Sequence, residues 1–440
     1  MMAPRPRGSR APRPRRSRWA RAATGTAVVA AGAIAAAASG QTMDVQRPRT
    51  LIVGASATGV RVEGLDAARS GRARTALPTG GVRVEWRASL GVPTEWSPLV
   101  DSAGNLLVVG ARGEIVSTTA DGDERWRLST GAMQPGPGAL LSDGTLVFVD
   151  AAGEAVAVRD GAVRWRVRFG RSDGAHPAPV PLDDGGVVVA TAYDLAALDS
   201  TGRERARTTL PEPTQQPLVG ALGRIVAITA SGVIWSWSPG AAEPTRIGSF
   251  GGPIDDAAGL VDDHTLLAVT SGRTRLAAVD LVRGTTIVRA SLPAGLWLGP
   301  AALRGDDAFL LLLGSTTELA VALDSSGTET MRVALVTRPA LLGADGGIAT
   351  LVAPPHTAPV VDGAGTMAFA TTDGAVGVVA GGVVDILPDA CPPAGARGSA
   401  APTAGLVPTR PGAFVAACRS GTLLSLRGPS ASGEPAAPHL

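Results

Sequence analysis

The chain has 440 residues, about twice the size at which a single compact core stops growing, so it either divides into domains or repeats one small unit around an axis. Hydrophobic residues make up 45% and charged residues 18%, which excludes wholesale disorder and a polytopic membrane protein. The formal net charge is only +2, but this balance hides a basic N-terminus on an acidic remainder.

The N-terminus has the layout of an export signal. Residues 1–21 carry eight arginines and no acid, and residues 22–38 are uncharged and mostly Ala, Val, Gly and Thr. Small residues then precede Gln41, so the pattern predicts a signal peptide over residues 1–40. A retained N-terminal anchor is the alternative, although the apolar stretch is marginal for spanning about 30 Å of hydrocarbon.

The rest of the chain is mildly acidic. All 40 basic residues are arginines, and the 32 that remain after the signal face 38 acids. Without basic clusters there is no electrostatic footprint for nucleic acid, which excludes nucleic-acid binding. We expect an exported protein in the periplasm or the extracellular space, with residues 41–81 as a linker.

A repeated unit follows the linker. The clearest copy spans residues 104–127, and similar copies span residues 144–166 and 185–207. Each has an apolar run, a turn, a second run that alternates as Val156 and Val158 do, an Asp/Gly turn and a short third run. Period-2 alternation between turn residues predicts antiparallel strands.

A large apolar residue marks the phase of the repeat. The markers are Trp86, Trp126, Trp165, Ala206, Ile247, Ile287, Met331, Ile386 and Leu426. Their spacing is about forty residues except for a 55-residue interval before Ile386, which indicates a longer connection. Four short strands per forty residues are typical of a β-propeller. We therefore predict an all-β fold, an eight-bladed β-propeller of four-stranded antiparallel blades over residues 82–428.

The turns of the repeat also carry a family motif. The stretches 120–126, 198–202 and 323–327 follow the form A-x-D-x-x-T-G-x-x-x-W in part. In this the chain resembles the pyrroloquinoline-quinone-like (PQQ-like) propeller family. The resemblance implies that the large side chain of the motif packs between adjacent blades, a role that falls here on Trp86, Trp126 and Trp165.

The last unit lacks its outer strand. It has two clear strands and then ends in residues 429–440, which we predict to be a disordered tail. Because an unpaired edge is costly, we expect residues 82–86 to supply the missing strand and close the ring. The rival is residues 60–63, since the letters GVRVE occur at 59–63 and again at 81–85, but only the second copy precedes a tryptophan in phase.

Two cysteines and four histidines are the main candidates for bond or metal chemistry. Cys391 and Cys418 lie 27 residues apart and in no CxxC pair, so for an exported chain we predict one disulfide. Two free buried thiols are the alternative. The histidines are scattered along the chain, and we expect no metal site.

The loops that lead from each outer strand to the next inner strand lie on the face that propellers commonly use for binding. The residues of these loops that form the candidate binding face are Trp96, Gln134, His176, Gln216, Asp255 and Trp297. The two tryptophans suggest an interaction surface, and the alternative is that both pack beneath the loops.

Other recurring residues have structural explanations. The aspartate pairs at 183–184, 262–263 and 306–307 stand at turn positions, where Asp accepts hydrogen bonds from its own backbone. Trp235 and Trp237 alternate on one strand, and we expect them to pack between blades.

No catalytic motif such as HExxH, GxSxG or a P-loop occurs in the chain, and we expect neither catalytic residues nor a cofactor. Quinoprotein dehydrogenases, which the repeat resembles, use adjacent cysteines, and Cys391 and Cys418 are far apart. The sequence favours a non-catalytic, monomeric scaffold of the cell envelope that binds an envelope protein or an extracellular ligand. The alternative is a quinone-dependent or other propeller enzyme.

Overall fold

The computed structural model describes residues 65–66, 69–170, 177–214, 218–221, 224–255, 258–262, 264–270, 272–291, 296–313, 317–337, 358–391 and 403–430. The predicted signal peptide and the rival strand at 60–63 lie outside these residues. All regular elements within the described residues are β-strands. None of the described residues forms a helix with the length and apolar character needed to cross a membrane.

The first four blades follow one another along the chain, after the first strand, β1 (Arg83–Ser89). Blade 1 contains β2 (Leu99–Val100), β3 (Leu106–Val109), β4 (Glu114–Thr118) and β5 (Glu124–Ser129). Blade 2 contains β6 (Ala139–Leu140), β7 (Leu146–Val149), β8 (Glu154–Arg159) and β9 (Ala162–Arg168). Blade 3 contains β10 (Val180–Pro181), β11 (Val187–Ala190), β12 (Asp194–Leu198) and β13 (Glu204–Thr209). Blade 4 contains β14 (Val219–Ala221), β15 (Arg224–Ile228), β16 (Val233–Trp237) and β17 (Thr245–Ser249).

The other four blades repeat the pattern. Blade 5 contains β18 (Gly259–Leu260), β19 (Thr265–Thr270), β20 (Arg275–Asp280) and β21 (Thr285–Ser291). Blade 6 contains β22 (Leu296–Arg304), β23 (Asp307–Leu313), β24 (Thr317–Leu323) and β25 (Glu329–Thr337). Blade 7 contains β26 (Val360–Val361), β27 (Met367–Ala370), β28 (Val376–Ala380) and β29 (Val383–Leu387). Blade 8 contains β30 (Thr403–Arg410), β31 (Ala413–Cys418), β32 (Thr422–Arg427) and β1.

The eight sheets form a ring. The first strand of a blade contacts the first strand of the neighbouring blade in most pairs, including β2 of blade 1 with β30 of blade 8. The first strand of each blade is therefore innermost and lines a central channel, and the fourth strand is outermost. The predicted eight-bladed propeller of four-stranded antiparallel blades is confirmed.

The N-terminal strand closes the ring as predicted. β1 pairs antiparallel with β32, from Arg83 opposite Arg427 to Ser89 opposite Thr422. This pairing corrects one of the phase markers. Leu426 lies in the third strand of blade 8, and Trp86 of β1 occupies the outer-strand position, so nine markers correspond to eight blades.

Tryptophans on outer strands pack against turn glycines of the next blade. The pairs are Trp86 with Gly122, Trp126 with Gly161 and Trp165 with Gly202. A Cβ added at Gly202 would lie 2.6 Å from the indole ring, and the indole N–H of Trp165 also donates to the Ser200 carbonyl at 3.0 Å. Because these glycines have φ between 72° and 92°, the turn needs glycine both for its backbone and for the close approach.

The residue after the tryptophan position ties the same strand to the preceding blade. The guanidinium groups of Arg127, Arg166 and Arg207 donate to the carbonyls of Leu90, Thr130 and Phe169, respectively. An arginine thus bonds each of these three outer strands to the blade that precedes it in the ring. Later in the ring the pattern weakens, and the marker Ile287 is 62% exposed instead of packed.

A disulfide joins blades 7 and 8. Cys391, just after β29, bonds to Cys418 at the end of β31, with the two Cα atoms 5.2 Å apart and both side chains buried. The bond ties the blade before the closing unit to the closing unit itself.

A partly buried carboxylate reinforces the closure. Glu85 of β1 accepts hydrogen bonds from Ser425 at 3.1 Å and Arg427 at 3.2 Å, and it also pairs with Arg410. Burial alone raises the pKa of Glu85, but the positive charge of Arg410 and the hydrogen bonds outweigh it, so the pKa lies below the ordinary value of 4.5.

We predict that Gly202→Ala destabilises the protein more than Gly144→Ala. Both glycines have φ near +84°, so both substitutions cost about 1–2 kcal/mol of backbone strain. Only at Gly202 does the new methyl group meet an indole ring, which adds about 1–3 kcal/mol, whereas nothing lies within 4 Å of a Cβ at Gly144. Chemical denaturation followed by tryptophan fluorescence measures both variants, and equal losses would contradict the packing account.

We also predict that the closure is sensitive to acid. Because folding lowers the pKa of Glu85, its stabilisation is fully present above about pH 5 and is lost as the pH falls through the folded-state pKa. Glu85→Gln should lower the free energy of unfolding by about 1–3 kcal/mol at pH 7 and by less at pH 3.5. Glu329→Gln, which breaks an exposed pair with Arg332, is the control and should cost less than about 1 kcal/mol. A Glu85→Gln deficit that stays constant with pH would refute this role.

Candidate functional site

The central channel contains residues that precede β1. Arg69 is 6% exposed, and its guanidinium donates to the carbonyl of Leu218 at 3.1 Å and to those of Ala178 and Pro179 at 3.2 and 3.3 Å. These acceptors stand directly before the first strands of blades 3 and 4. One side chain thus reaches the inner ends of two blades, which is possible only from the centre of the ring.

The backbone after Arg69 binds the inner strands on the other side of the ring. Leu303 N–H donates to the Ser70 carbonyl at 2.7 Å, and Val361 N–H donates to the Gly71 carbonyl at 3.0 Å. Ala73 N–H in turn donates to the Val361 carbonyl at 2.7 Å. The segment therefore pairs with the inner strands β22 and β26 as well as with blades 3 and 4.

The segment runs through the channel from one end to the other. Arg72 pairs in parallel with Val361 of β26, and Leu77 N–H donates to the buried Asp362 carboxylate at 2.9 Å, just beyond that strand. We call residues 69–77 the channel segment. It begins at the end of the ring that carries the loops between blades, which we call the loop face, and leaves at the opposite end.

The predicted linker boundary is therefore corrected. Within residues 41–81, the channel segment is part of the propeller, because its polar groups bond to inner strands of the blades. At the far end, Thr79 N–H donates to the Pro429 carbonyl at 2.8 Å and Pro78 bridges to Ser430. The first two residues of the predicted tail are thus ordered, and residues 431–440 lie outside the described residues.

The structure places three of the six predicted binding-face residues in full. Trp96 is half-buried, packs against the core between blades 1 and 2, and donates its indole N–H to the Pro135 carbonyl at 2.9 Å. Gln134 is exposed on the loop face, with φ of +45°. Asp255 accepts the backbone N–H of Arg273 at 2.9 Å, which fixes a neighbouring turn.

The other three predicted residues lie wholly or partly outside the described residues. His176 and Gln216 are not among them, and for Trp297 only the backbone is described, in β22 opposite Leu312. Whether the six side chains act together therefore stays a prediction.

Two residues that the sequence analysis did not select also stand on the loop face. Met133 is 67% exposed in the loop between blades 1 and 2, and Tyr193 is 39% exposed in the turn between the second and third strands of blade 3. Met133 is adjacent in sequence to the selected Gln134, so the sequence could have indicated that it lies on the same face. Tyr193 is the only tyrosine of the chain, but its turn belongs to a different part of the repeat from the loops considered.

The recurring aspartates serve the turns. Asp184 accepts the Gly186 N–H at 2.9 Å, and Asp262 accepts the His264 N–H at 2.8 Å, in agreement with the turn interpretation. Among the residues that the structure describes, no three His, Cys, Asp or Glu side chains converge to hold a metal ion. Trp235 and Trp237 pack in the core between blades 3 and 4, as expected.

The comparisons with known proteins support the repeat type. Residues 154–243, from β8 to the end of blade 4's third strand and the turn after it, match a PQQ-repeat family model described as "Outer membrane protein assembly factor BamB". This part of the chain, residues 154–243, carries the PQQ-like propeller repeat. This agrees with the resemblance that the turn motifs predicted, and the matched range includes one of the three motif stretches, residues 198–202.

Solved structures show the same fold at low identity. BamB from Moraxella catarrhalis is 17% identical, with a TM-score of 0.55 over 79% of this chain and 97% of that one. The computationally designed Ika8 protein is 12% identical, with a TM-score of 0.55 over 77% and 98%. Quinohemoprotein alcohol dehydrogenase from Comamonas testosteroni is 12% identical, with a TM-score of 0.59 over 87% and 82%. No curated protein matches this sequence.

Proposed function

We propose that this PQQ-like propeller is a non-catalytic scaffold that binds another protein through its loop face. The observation that carries the proposal is the channel segment. A propeller can hold a ligand on its central axis. In this chain the channel segment occupies that position, and backbone carbonyls of blades 3 and 4 accept hydrogen bonds from the buried Arg69. With the axis filled, the outer surfaces and loops are what remains for recognition.

We further propose that the protein is exported and works in the cell envelope, either in the periplasm or outside the cell. The basic and then apolar N-terminus supports export, and so does the buried disulfide, since disulfides persist in oxidising compartments. The family description, which names an outer-membrane assembly factor, is in keeping with this location. We propose a monomer as the working form.

A quinone-dependent enzyme is the alternative, because a quinohemoprotein alcohol dehydrogenase shares the fold. The described residues do not fit that cofactor. The two cysteines are joined across blades 7 and 8 instead of standing adjacent, and the channel segment lies in the centre of the ring, where Gly71 approaches Ala302 so closely that a Cβ would be 3.1 Å away.

A cofactor titration tests the proposal. Purified protein is incubated with pyrroloquinoline quinone and Ca²⁺, and thermal unfolding and the reduction of an artificial electron acceptor by a panel of alcohols are measured. We expect an unchanged unfolding midpoint and no acceptor reduction. A ligand present at 100 times its dissociation constant would stabilise the fold by about 2.7 kcal/mol, so binding is readily visible. A raised unfolding midpoint together with acceptor reduction would show that the protein is a quinone-dependent enzyme and would contradict the proposed scaffold function.

A further inference from the structure

The channel segment bonds to the ring in the way that an added β-strand does. The backbone N–H groups of Leu303 and Val361, both on innermost strands, donate to carbonyls of the segment at 2.7 and 3.0 Å. Ala73 N–H donates back to the Val361 carbonyl at 2.7 Å, and Arg72 pairs with Val361 in parallel. Main-chain bonds of this kind hold an extended peptide on an open sheet edge. Blades 6 and 7 thus bind the segment through the channel-facing edges of their first strands.

The side chains of the segment alternate between the ring and solvent over residues 71–74. Gly71 and Ala73 are buried, whereas Arg72 and Arg74 are exposed. This alternation is that of an extended strand with one face on a surface. In strand addition the main chain supplies affinity, and the alternate side chains that enter the surface supply specificity. We therefore expect the ring to discriminate among side chains at the buried positions and to tolerate changes at the exposed ones.

The first buried position selects arginine. The Arg69 guanidinium donates to the carbonyls of Leu218, Ala178 and Pro179, at distances of 3.1 to 3.3 Å. These acceptors belong to two blades, and a planar guanidinium presents several donors in a fixed fork that can reach both. Alanine at this position removes all three hydrogen bonds.

The second buried position selects glycine. Gly71 has φ of +63°, and a Cβ there would lie 3.1 Å from Cα and Cβ of Ala302 and 3.2 Å from the Pro359 carbonyl oxygen. The ring is equally small where it meets the backbone of the segment, since a Cβ at Gly259 of blade 5 would lie 2.4 Å from the Arg69 carbonyl oxygen. Any side chain at position 71 would have to displace an innermost strand.

The segment is not a strand of any blade. Each of the eight sheets has its four strands without it. Its contacts with the ring are made over long distances in sequence, such as 109 residues from Arg69 to Ala178 and 285 residues from Leu77 to Asp362. The segment therefore contacts the ring as a separate peptide would, although it belongs to the same chain.

We infer that the inner edge of blades 3 to 7 is a sequence-specific binding site for an extended peptide with arginine, glycine and alanine at alternate positions, and that the chain occupies this site with its own residues 69–77. Another peptide of this pattern binds only where the chain's own segment has left the site. The inference goes beyond the proposed scaffold function and does not depend on it, because that function uses the loop face.

Peptide binding to a chain with a loosened segment tests the inference. In the full chain, Arg69→Ala combined with Gly71→Ala removes the three guanidinium bonds and places a methyl group against Ala302. The probe is a fluorescently labelled synthetic peptide with the natural sequence of residues 65–79. Fluorescence anisotropy measures its affinity, and circular dichroism verifies the fold. We expect the probe to bind this double variant at least about tenfold more tightly than the natural protein, whose own segment competes at an effective concentration in the millimolar range.

Matched substitutions in the peptide and in the protein establish the specificity. The Arg69→Ala peptide should bind the double variant at least about tenfold more weakly than the natural peptide, because it loses hydrogen bonds from a charged group. The Arg72→Ala peptide loses the same charge at an exposed position and should bind within about fivefold of the natural peptide. The full chain with Arg72→Ala retains its bound segment and should bind the natural peptide no better than the natural protein does.

The remaining outcomes count against the site. Equal binding of the Arg69→Ala and Arg72→Ala peptides, or no binding to a folded double variant, would contradict a sequence-specific site. If the double variant does not fold, Arg69→Ala alone is the milder variant. Failure of both to fold would show that the segment is an integral part of the ring and would also overturn the inference. The scaffold function is tested separately by the cofactor titration, whatever the peptides show.

Discussion

Lateral contact between blades is the constraint on which the rest of this structure depends. A four-stranded sheet has two faces and cannot bury both by itself, so each blade is stable only when its neighbours cover it. In the first part of the ring this contact is made specific by Trp126 against Gly161 and Trp165 against Gly202. The arginines that follow these two tryptophans, Arg127 and Arg166, bond to the preceding blade. One short stretch of an outer strand therefore fastens its blade in both directions.

The ring is closed in blade 8, where the N-terminal strand and the last three strands of the chain form one sheet. β1 completes the sheet of β30 to β32, and Glu85 adds bonds to Arg410 and Arg427 across the junction. Because the closing strand comes from the N-terminus, the residues before it have to reach the outer edge of the ring. In this chain they do so through the channel, which they fill on the way, and the closure and the filled axis are two results of the same chain path.

The sequence was informative wherever one residue type repeats for a physical reason. Markers spaced by about forty residues from Trp86 onward predicted the blades, and the missing outer strand of the last unit predicted the closing strand. Leu426 was misassigned because an alternating apolar strand looks alike in the third and fourth positions of a blade. Ile287 stands at the same phase but is 62% exposed, whereas Ile247 and Ile386 pack against core clusters, so the spacing alone does not indicate which markers are buried.

The channel segment and the exposed side chains of the loop face were less predictable. Residues 69–77 have no periodic pattern, and Arg69 binds carbonyls more than 100 positions away, so nothing local indicates its burial. For the predicted binding face, the sequence selected the loops between blades but not the turns between second and third strands, which stand on the same face. Tyr193 was missed for that reason. Which side chains share a face depends on how the loops and turns meet in the ring, and the repeat alone does not specify this.

The position of the channel segment is the central claim, and hydrogen exchange of the native protein measured by mass spectrometry tests it most directly. The account predicts that amides of residues 69–77, including those of Ala73 and Leu77, are protected about as strongly as the inner strand β26, at least about 100-fold relative to an unstructured chain. Exchange of these amides at the rate of an unstructured peptide, while β26 remains protected, would contradict it.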